Sequence, residues 1–353
     1  MLTMLATALL GGQVFADVTE TAVDNCEKTV DRYYYGKYSD SESVSGGNVT
    51  VKKEPTGEVP TNAFVYGGRT EAADASNNMV TMQGGTISNI YGGYGKTGAS
   101  NNTVVLRGGT VQSIRGGNGD SGMFSNNVVI VTGGTITSFI WGGYGVSGSA
   151  SNNRVHLVGK GASNVFIADG QGITSSYEYT GGENGLSLAG VSAGYINTTS
   201  TGTTTGNSID VYGSGISFTG GMANMQKLTF NITNDQVVTE SQAAAVSNKS
   251  ALNLTGVELL IKDLDVKEWT PGKTITLVQS TQAIKGASDE LTVGKEVEIK
   301  RGEVVTATAT LKLGEDQKSL ILTNIQGKNV PEPATSSLSL LALAGLCVRR
   351  RRK

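Results

Sequence analysis

Ser76-Asn77-Asn78, Ser100-Asn101-Asn102, Ser125-Asn126-Asn127 and Ser151-Asn152-Asn153 write one tripeptide four times, the second asparagine recurring after 24, 25 and 26 residues. Behind each tripeptide comes a short apolar alternation, then Gly-Gly-Thr (84–86, 108–110, 133–135), then a second apolar run. Each unit closes on Gly-Gly-x-Gly, at 92–95, 116–119 and 142–145. A fixed period of this size marks a stacked repeat architecture.

The first run of each unit alternates with period two, which places every other side chain on one face. Val80 and Met82, Val104 and Leu106, Val129 and Val131, Val155 and Leu157 share the inward face. Thr81, Val105, Ile130 and His156 fall on the other, expected to meet solvent. The second run turns Ile87 and Ile90, Val111 and Ile114, Ile136 and Ile140 inward, and the wider last pair implies a bulge. Strands this short cannot bury a face alone, so the units must stack.

Helical repeats are excluded: 49 glycines, paired in every unit, leave no stretch of helical period unbroken. The glycine pairs are expected at sharp corners with positive φ. Stacked asparagines would bond coil to coil there. The reading is an all-β chain, a right-handed parallel β-solenoid (β-helix) with a C-terminal β cap. Coils of ~4.8 Å rise, seven or eight of them, make a rod of about 35–40 Å.

The chain divides as follows. Residues 1–16 are uncharged and end Val14-Phe15-Ala16, the pattern of a secretory signal peptide, though without a basic start. Residues 17–45, acidic but for Tyr33-Tyr34-Tyr35 and Tyr38, are placed to cap the stack or to present an aromatic sugar-binding patch. Repeats occupy 46–230. Upstream, 46–51 and 64–68 form one degenerate coil with a charged insertion between them. Downstream, 167–172 stands where Gly-Gly-x-Gly belongs, and Asn207 restarts the pattern 54 residues after Asn153, room for two coils. Residues 231–250 are a linker with a helix expected from Thr239 to Val246. Residues 251–328 read as a C-terminal β module, resembling in style the end regions of autotransporter passenger domains.

From 329 the chain changes character. Val330-Pro331-Glu332-Pro333 precedes an apolar run from Leu338 to Val348 and then Arg349, Arg350, Arg351, Arg352 and Lys353. The apolar run is shorter than the ~20 residues of a spanning helix. Its cations would stay cytoplasmic, holding the tail transiently in the inner membrane. These three parts in this order resemble the PEP-CTERM sorting signal of Gram-negative bacteria. The resemblance implies processing near Pro-Glu-Pro by an exosortase, an integral-membrane cysteine-protease-like enzyme, and delivery to the cell surface or extracellular matrix. It implies an address and no activity.

Of 28 basic and 30 acidic side chains, removal of the tail leaves 23 and 29, near −6, which argues against nucleic acid as a partner. Cys26 and Cys347 are the only cysteines, too few for a disulfide framework or a thiolate metal site. Gly92–Thr97 imitates a phosphate loop, but Ile90 stands where its first glycine belongs. A nonapeptide calcium repeat fails on period, because only Asp120 follows a Gly-Gly-x-Gly. No cofactor is implied.

Two functional readings remain. A non-enzymatic surface or matrix protein, structural or adhesive, needs only the rod and the address. A carbohydrate-active β-helix enzyme, a polysaccharide lyase or hydrolase, needs several carboxylates converging on a groove. Its candidates are Asp169, Glu178 and Glu183 in the irregular coils; Arg154 and His156 share an outward face, but no acid neighbours them in the repeat frame. The residues before each Gly-Gly are Tyr66, Tyr91, Arg115 and Trp141, outward and one coil apart. They form either a ladder for extracellular glycans or a lateral cover for the glycines.

Overall fold

The computed structural model describes residues 23–52, 62–183, 185–197, 202–238 and 244–328. Three ladders of parallel strands build it. The first takes Asn48–Val51, Met79–Met82, Thr103–Leu106, Val128–Val131, Arg154–Val158, Ser208–Tyr212, Lys227–Ile232 and Glu258–Asp263, each on the next. The second takes Tyr33–Ser39, Phe64–Thr70, Thr86–Gly95, Thr110–Gly119, Thr135–Gly145, Leu186–Ile196, Ile216–Ala223, Val246–Asn248 and Ile275–Ser280. A third, 6-stranded ladder runs from Val44–Ser45 to Thr203–Thr205. Parallel coiling therefore reaches beyond 46 on one side and 230 on the other. The bulge is present, as a register shift where Val111 and Ile114 meet Ile136 and Ile140.

The asparagines explain the regularity. The first of each pair turns the corner in the left-handed region, with φ of 57°, 57°, 56° and 55° at Asn77, Asn101, Asn126 and Asn152. Asparagine tolerates that conformation better than other side chains with a Cβ. The second is fully buried and joins coil to coil. Asn78 Nδ2 donates to Asn102 Oδ1 (2.9 Å), Asn102 to Asn127, Asn127 to Asn153 and Asn153 to Asn207 (3.0 Å each). Each Oδ1 also accepts the backbone N–H of the preceding rung, and Gln226 Oε1 takes that place for Asn207. The remaining amide hydrogens go to the carbonyls of Ala75, Ala99, Phe124 and Ala150. Buried amides are tolerated because every donor and acceptor is used.

The glycines divide between two jobs. The second glycine of Gly-Gly-Thr makes a corner, with φ of 81°, 88° and 87° at Gly85, Gly109 and Gly134. Gly-Gly-x-Gly does not: it lies inside the long second-ladder strands, outside the left-handed region. A Cβ at Gly68, Gly93, Gly117, Gly143 or Gly194 would come within 2.5–2.6 Å of the amide of Asn78, Asn102, Asn127, Asn153 or Asn207. These glycines are spacers for the asparagine ladder, and the expected corner there is corrected.

One apolar cluster runs from Val23 to Ile325 along the inside of the coils. A second lies outside the first ladder, and it overturns the expected solvent face. Val105, Ile130 and His156 are buried, Val105 and Ile130 beneath an antiparallel hairpin of Val165–Ala168 and Thr174–Tyr177 and His156 beside Tyr212. Val165, Ile167 and Tyr177 seal the cluster. Thr180 ties the hairpin back through Thr132 O (2.8 Å) and Arg107 O (2.6 Å), and Gly170 N–H reaches Thr103 Oγ1 (2.8 Å).

The hairpin also corrects the coil count. Asn153 bonds Asn207 directly, so the 54 residues between them hold one coil and an excursion, where two coils were expected. Lys160 and Gly185 both abut Gly215, so the excursion leaves and rejoins the stack at one place. Residues 169–172 are the hairpin turn and no copy of Gly-Gly-x-Gly. Ala193-Gly194-Tyr195 takes that role, paired with Gly142-Gly143-Tyr144.

Both ends of the stack carry antiparallel strands. Lys28–Val30 lies on Tyr33–Ser39, and Val23–Asp24 on Asn48–Val51. At the other end Lys295–Arg301, Val304–Leu313 and Ser319–Gly327 form a meander joined to Ile275–Ser280. A short helix spans Asn234–Val238 and Val246 begins a strand, while most of the helix expected from Thr239 to Val246 falls outside the described residues. Residues 239–243 and most of the charged insertion, 53–61, lie outside the described residues.

Candidate functional site

The outward positions beside each Gly-Gly pair are set by strand register alone. Tyr66 pairs with Tyr91, Tyr91 with Arg115 and Arg115 with Trp141, so the four expected residues stand in one row. Tyr35 extends the row by one coil, its ring 5.2 Å from Tyr66. Tyr66 and Tyr91 stack at 4.6 Å between centroids and 5° between planes, close to the coil rise itself. Arg115 Nη1 donates to Tyr91 Oη (3.0 Å), and its guanidinium lies 4.9 Å from the Trp141 ring and 4.6 Å from Tyr144.

A second row was missed in the sequence. It carries Arg69, Tyr94, Asn118, Tyr144 and Tyr195, most of them the variable residue of Gly-Gly-x-Gly, whose aromatic recurrence was the available signal. Its rings meet the first row edge-on: Tyr94 is perpendicular to Tyr66 and to Tyr91 (88°), and Tyr144 crosses Trp141 at 73°. Tyr144 and Tyr195 then stack at 5.3 Å.

The two rows cover each other at the Tyr66 and Tyr91 positions. Tyr66 is 4% and Tyr91 8% exposed, because rings one coil rise apart hide each other's faces. Burial raises both phenol pKa values, more than the nearby Arg69 and Arg115 lower them, so both hydroxyls stay protonated. Arg115 and Trp141 are half-buried, and Phe139, beside Trp141 at 5.4 Å, is 39% exposed. The accessible aromatic surface is thus at the Trp141 end of the row.

The titratable residues read as an enzymatic alternative fall apart in space. His156 is buried. Its Nδ1 lies 3.2 Å from Tyr212 Oη and 3.6 Å from Asp210 Oδ2, while Nε2 has no partner. Burial lowers its pKa, Arg154 adds to that, and Asp210 opposes it. Ser208 donates to Asp210 (3.2 Å). Asp169 accepts the N–H groups of Gln171 and Ile173 (2.9 Å each) and closes the hairpin turn. Glu178 and Glu183 are exposed at the other end of the hairpin. Among the described residues no three His, Cys, Asp or Glu side chains are grouped to hold a metal. Cys26 is held as a thiol, its pKa pushed up to about 11 by burial and by Asp24.

Val330, Pro331, Glu332, Pro333 and Arg349–Arg352 lie outside the described residues, as do residues 1–16. No curated protein and no solved structure shows significant similarity to the chain. Residues 329–353 match the PEP-CTERM protein-sorting motif, so the chain carries the tail by which exported proteins of Gram-negative bacteria are handed to exosortase.

Proposed function

We propose that this protein is a non-enzymatic rod displayed at the cell surface or in the extracellular matrix, structural and adhesive in use, as passenger domains of autotransporters are. The observation that carries this reading is one continuous parallel stack from Tyr33–Ser39 to Ile275–Ser280, joined in one chain to a sorting tail. The coil is right-handed, in keeping with the handedness of parallel strand crossovers. The antiparallel strands at its ends act as caps, pairing edges that would otherwise invite aggregation. Non-catalytic use accords with Asp169 engaged in the hairpin turn and a buried histidine. The tail rests transiently in the inner membrane before exosortase removes it, and the aromatic rows face extracellular glycans.

Deleting residues 329–353 tests the address. The truncated protein should vanish from surface fractions and accumulate in the periplasm or the medium. Undiminished surface display would overturn the reading.

A further inference from the structure

The stack does not close evenly at its C-terminal end. Glu258–Asp263 is paired along its whole length with Lys227–Ile232, and Lys295–Arg301 along its length with Val304–Leu313. The two strands run parallel to each other but meet only where Lys262 pairs with Lys300. Towards Glu258 and Lys295 they part, and a cleft of about 630 Å³ opens between their facing edges. Residues 258–261 and 295–299 therefore have no strand on those edges, and the backbone groups there are free to pair. Leu259, Ile261, Val297 and Leu311 give the cleft an apolar floor. At its closed end Lys262 and Lys300 stand side by side, both exposed. Glu298 relieves Lys300 (3.0 Å), while Lys262 has no ion pair among the described residues.

We propose that this cleft seats the chain's own sorting tail, with residues 334–340 lying as a strand between the two edges. The chain leaves the described body at Lys328, whose N–H donates to Thr306 O. Gly327, Ala307 and Ile299 are register partners across the meander, so Lys328 lies two strands, about 10 Å, from the closed end. Residues 329–333 can span about 16 Å and carry both tail prolines, which cannot donate to a ladder. Glu332 falls in this connection, where it can pair with Lys262. Beyond Pro333 comes Ala334-Thr335-Ser336-Ser337-Leu338-Ser339-Leu340, free of proline and charge. Its period-two alternation sets Ser336, Leu338 and Leu340 towards the apolar floor and Thr335, Ser337 and Ser339 towards water. Coming from the closed end, the segment runs antiparallel to both edges. The inference needs the tail and not the adhesive reading. The cleft covers the start of the apolar run while the tail is in water and releases it when the tail enters the membrane.

Hydrogen exchange on the full chain, expressed in a host without exosortase and read by mass spectrometry, tests this. The facing-edge amides of residues 258–261 and 295–299 should exchange at least tenfold slower in the parent than in a Leu338→Asp, Leu340→Asp variant. Both substitutions lie in the tail, so the melting temperature of the body should not change. Equal exchange in the parent and the variant overturns the proposal. Slow exchange that fades on dilution also overturns it, because the cleft is then filled by the tail of a second copy.

Discussion

Two stretches of similar length and similar glycine content behave in opposite ways. Residues 126–152 make a coil, pairing in parallel with the coils on either side. Residues 159–183 leave the stack and pair antiparallel with themselves. The difference lies in one coupling. A coil has an asparagine at one corner and a glycine pair across from it, so that Asn127 and Gly117 occupy each other's space. The excursion has glycines at 170 and 172 but no asparagine to answer them. Its Asn164, although left-handed (φ 52°), joins no rung. Glycine marks a coil here only when a buried amide needs its missing side chain.

That lesson separates what the sequence shows from what it hides. The period, inward face, bulge and outer aromatic row are legible because neighbouring copies impose them. Asn78, Asn102, Asn127 and Asn153 must recur in register or leave amides unsatisfied. The hairpin is hidden because its role is tertiary. Nothing local distinguishes Ile130 under a cover from Ile130 in solvent, and a gap of 54 residues suits two coils as well as one with an excursion. The closed faces of Tyr66 and Tyr91 were hidden for a related reason, since outward direction does not measure exposure.

The comparison can be broken first at its core. Val129→Asp buries a carboxylate among the coils and Ile130→Asp buries one under the hairpin, each costing about 4–5 kcal/mol or more. Replacing residues 161–183 with a short Gly-Ser linker should leave Val129→Asp as damaging and reduce the cost of Ile130→Asp to about 1 kcal/mol. Denaturant melts of the four variants decide it. Equal costs for Ile130→Asp with and without the hairpin would mean that the coils, and not the excursion, cover that face.

A smaller effect separates the two asparagines of one tripeptide. Asn127→Ala strands the Asn102 N–H groups and the Ala99 carbonyl, roughly 3 kcal/mol. Asn126→Gly, at φ 56°, keeps the corner and should change stability by less than ~0.5 kcal/mol. Similar melting temperatures for both would remove the ladder as the source of the period.

The smallest effect is a pH response. His156, the only histidine, is buried beside Tyr212 and Asp210 with a lowered pKa. The unfolded chain binds its proton near the ordinary 6.5 while the folded chain resists it, so stability is full above that pH and falls below it. Lowering pH from 7.5 to 5.5 should reduce Tm by about 2 °C, and His156→Leu should abolish the reduction. A rise in Tm on acidification, or an unchanged slope in the variant, would contradict the burial of a neutral imidazole.

The most direct measurement asks whether the coils on either side of the excursion touch. Ser151 and Thr205 are register partners in the third ladder, as Ser76 and Ser100 are. Adjacent coils bring Cα atoms to ~4.8 Å, within disulfide range, whereas one intervening coil would hold them near 10 Å, outside it. In a Cys26→Ser, Cys347→Ser background, Ser151→Cys with Thr205→Cys should oxidise as readily as the control pair Ser76→Cys with Ser100→Cys. Mass spectrometry reads the loss of two hydrogens. A cross-linked control beside an unlinked Ser151–Thr205 pair would place a coil between them and contradict the architecture described here.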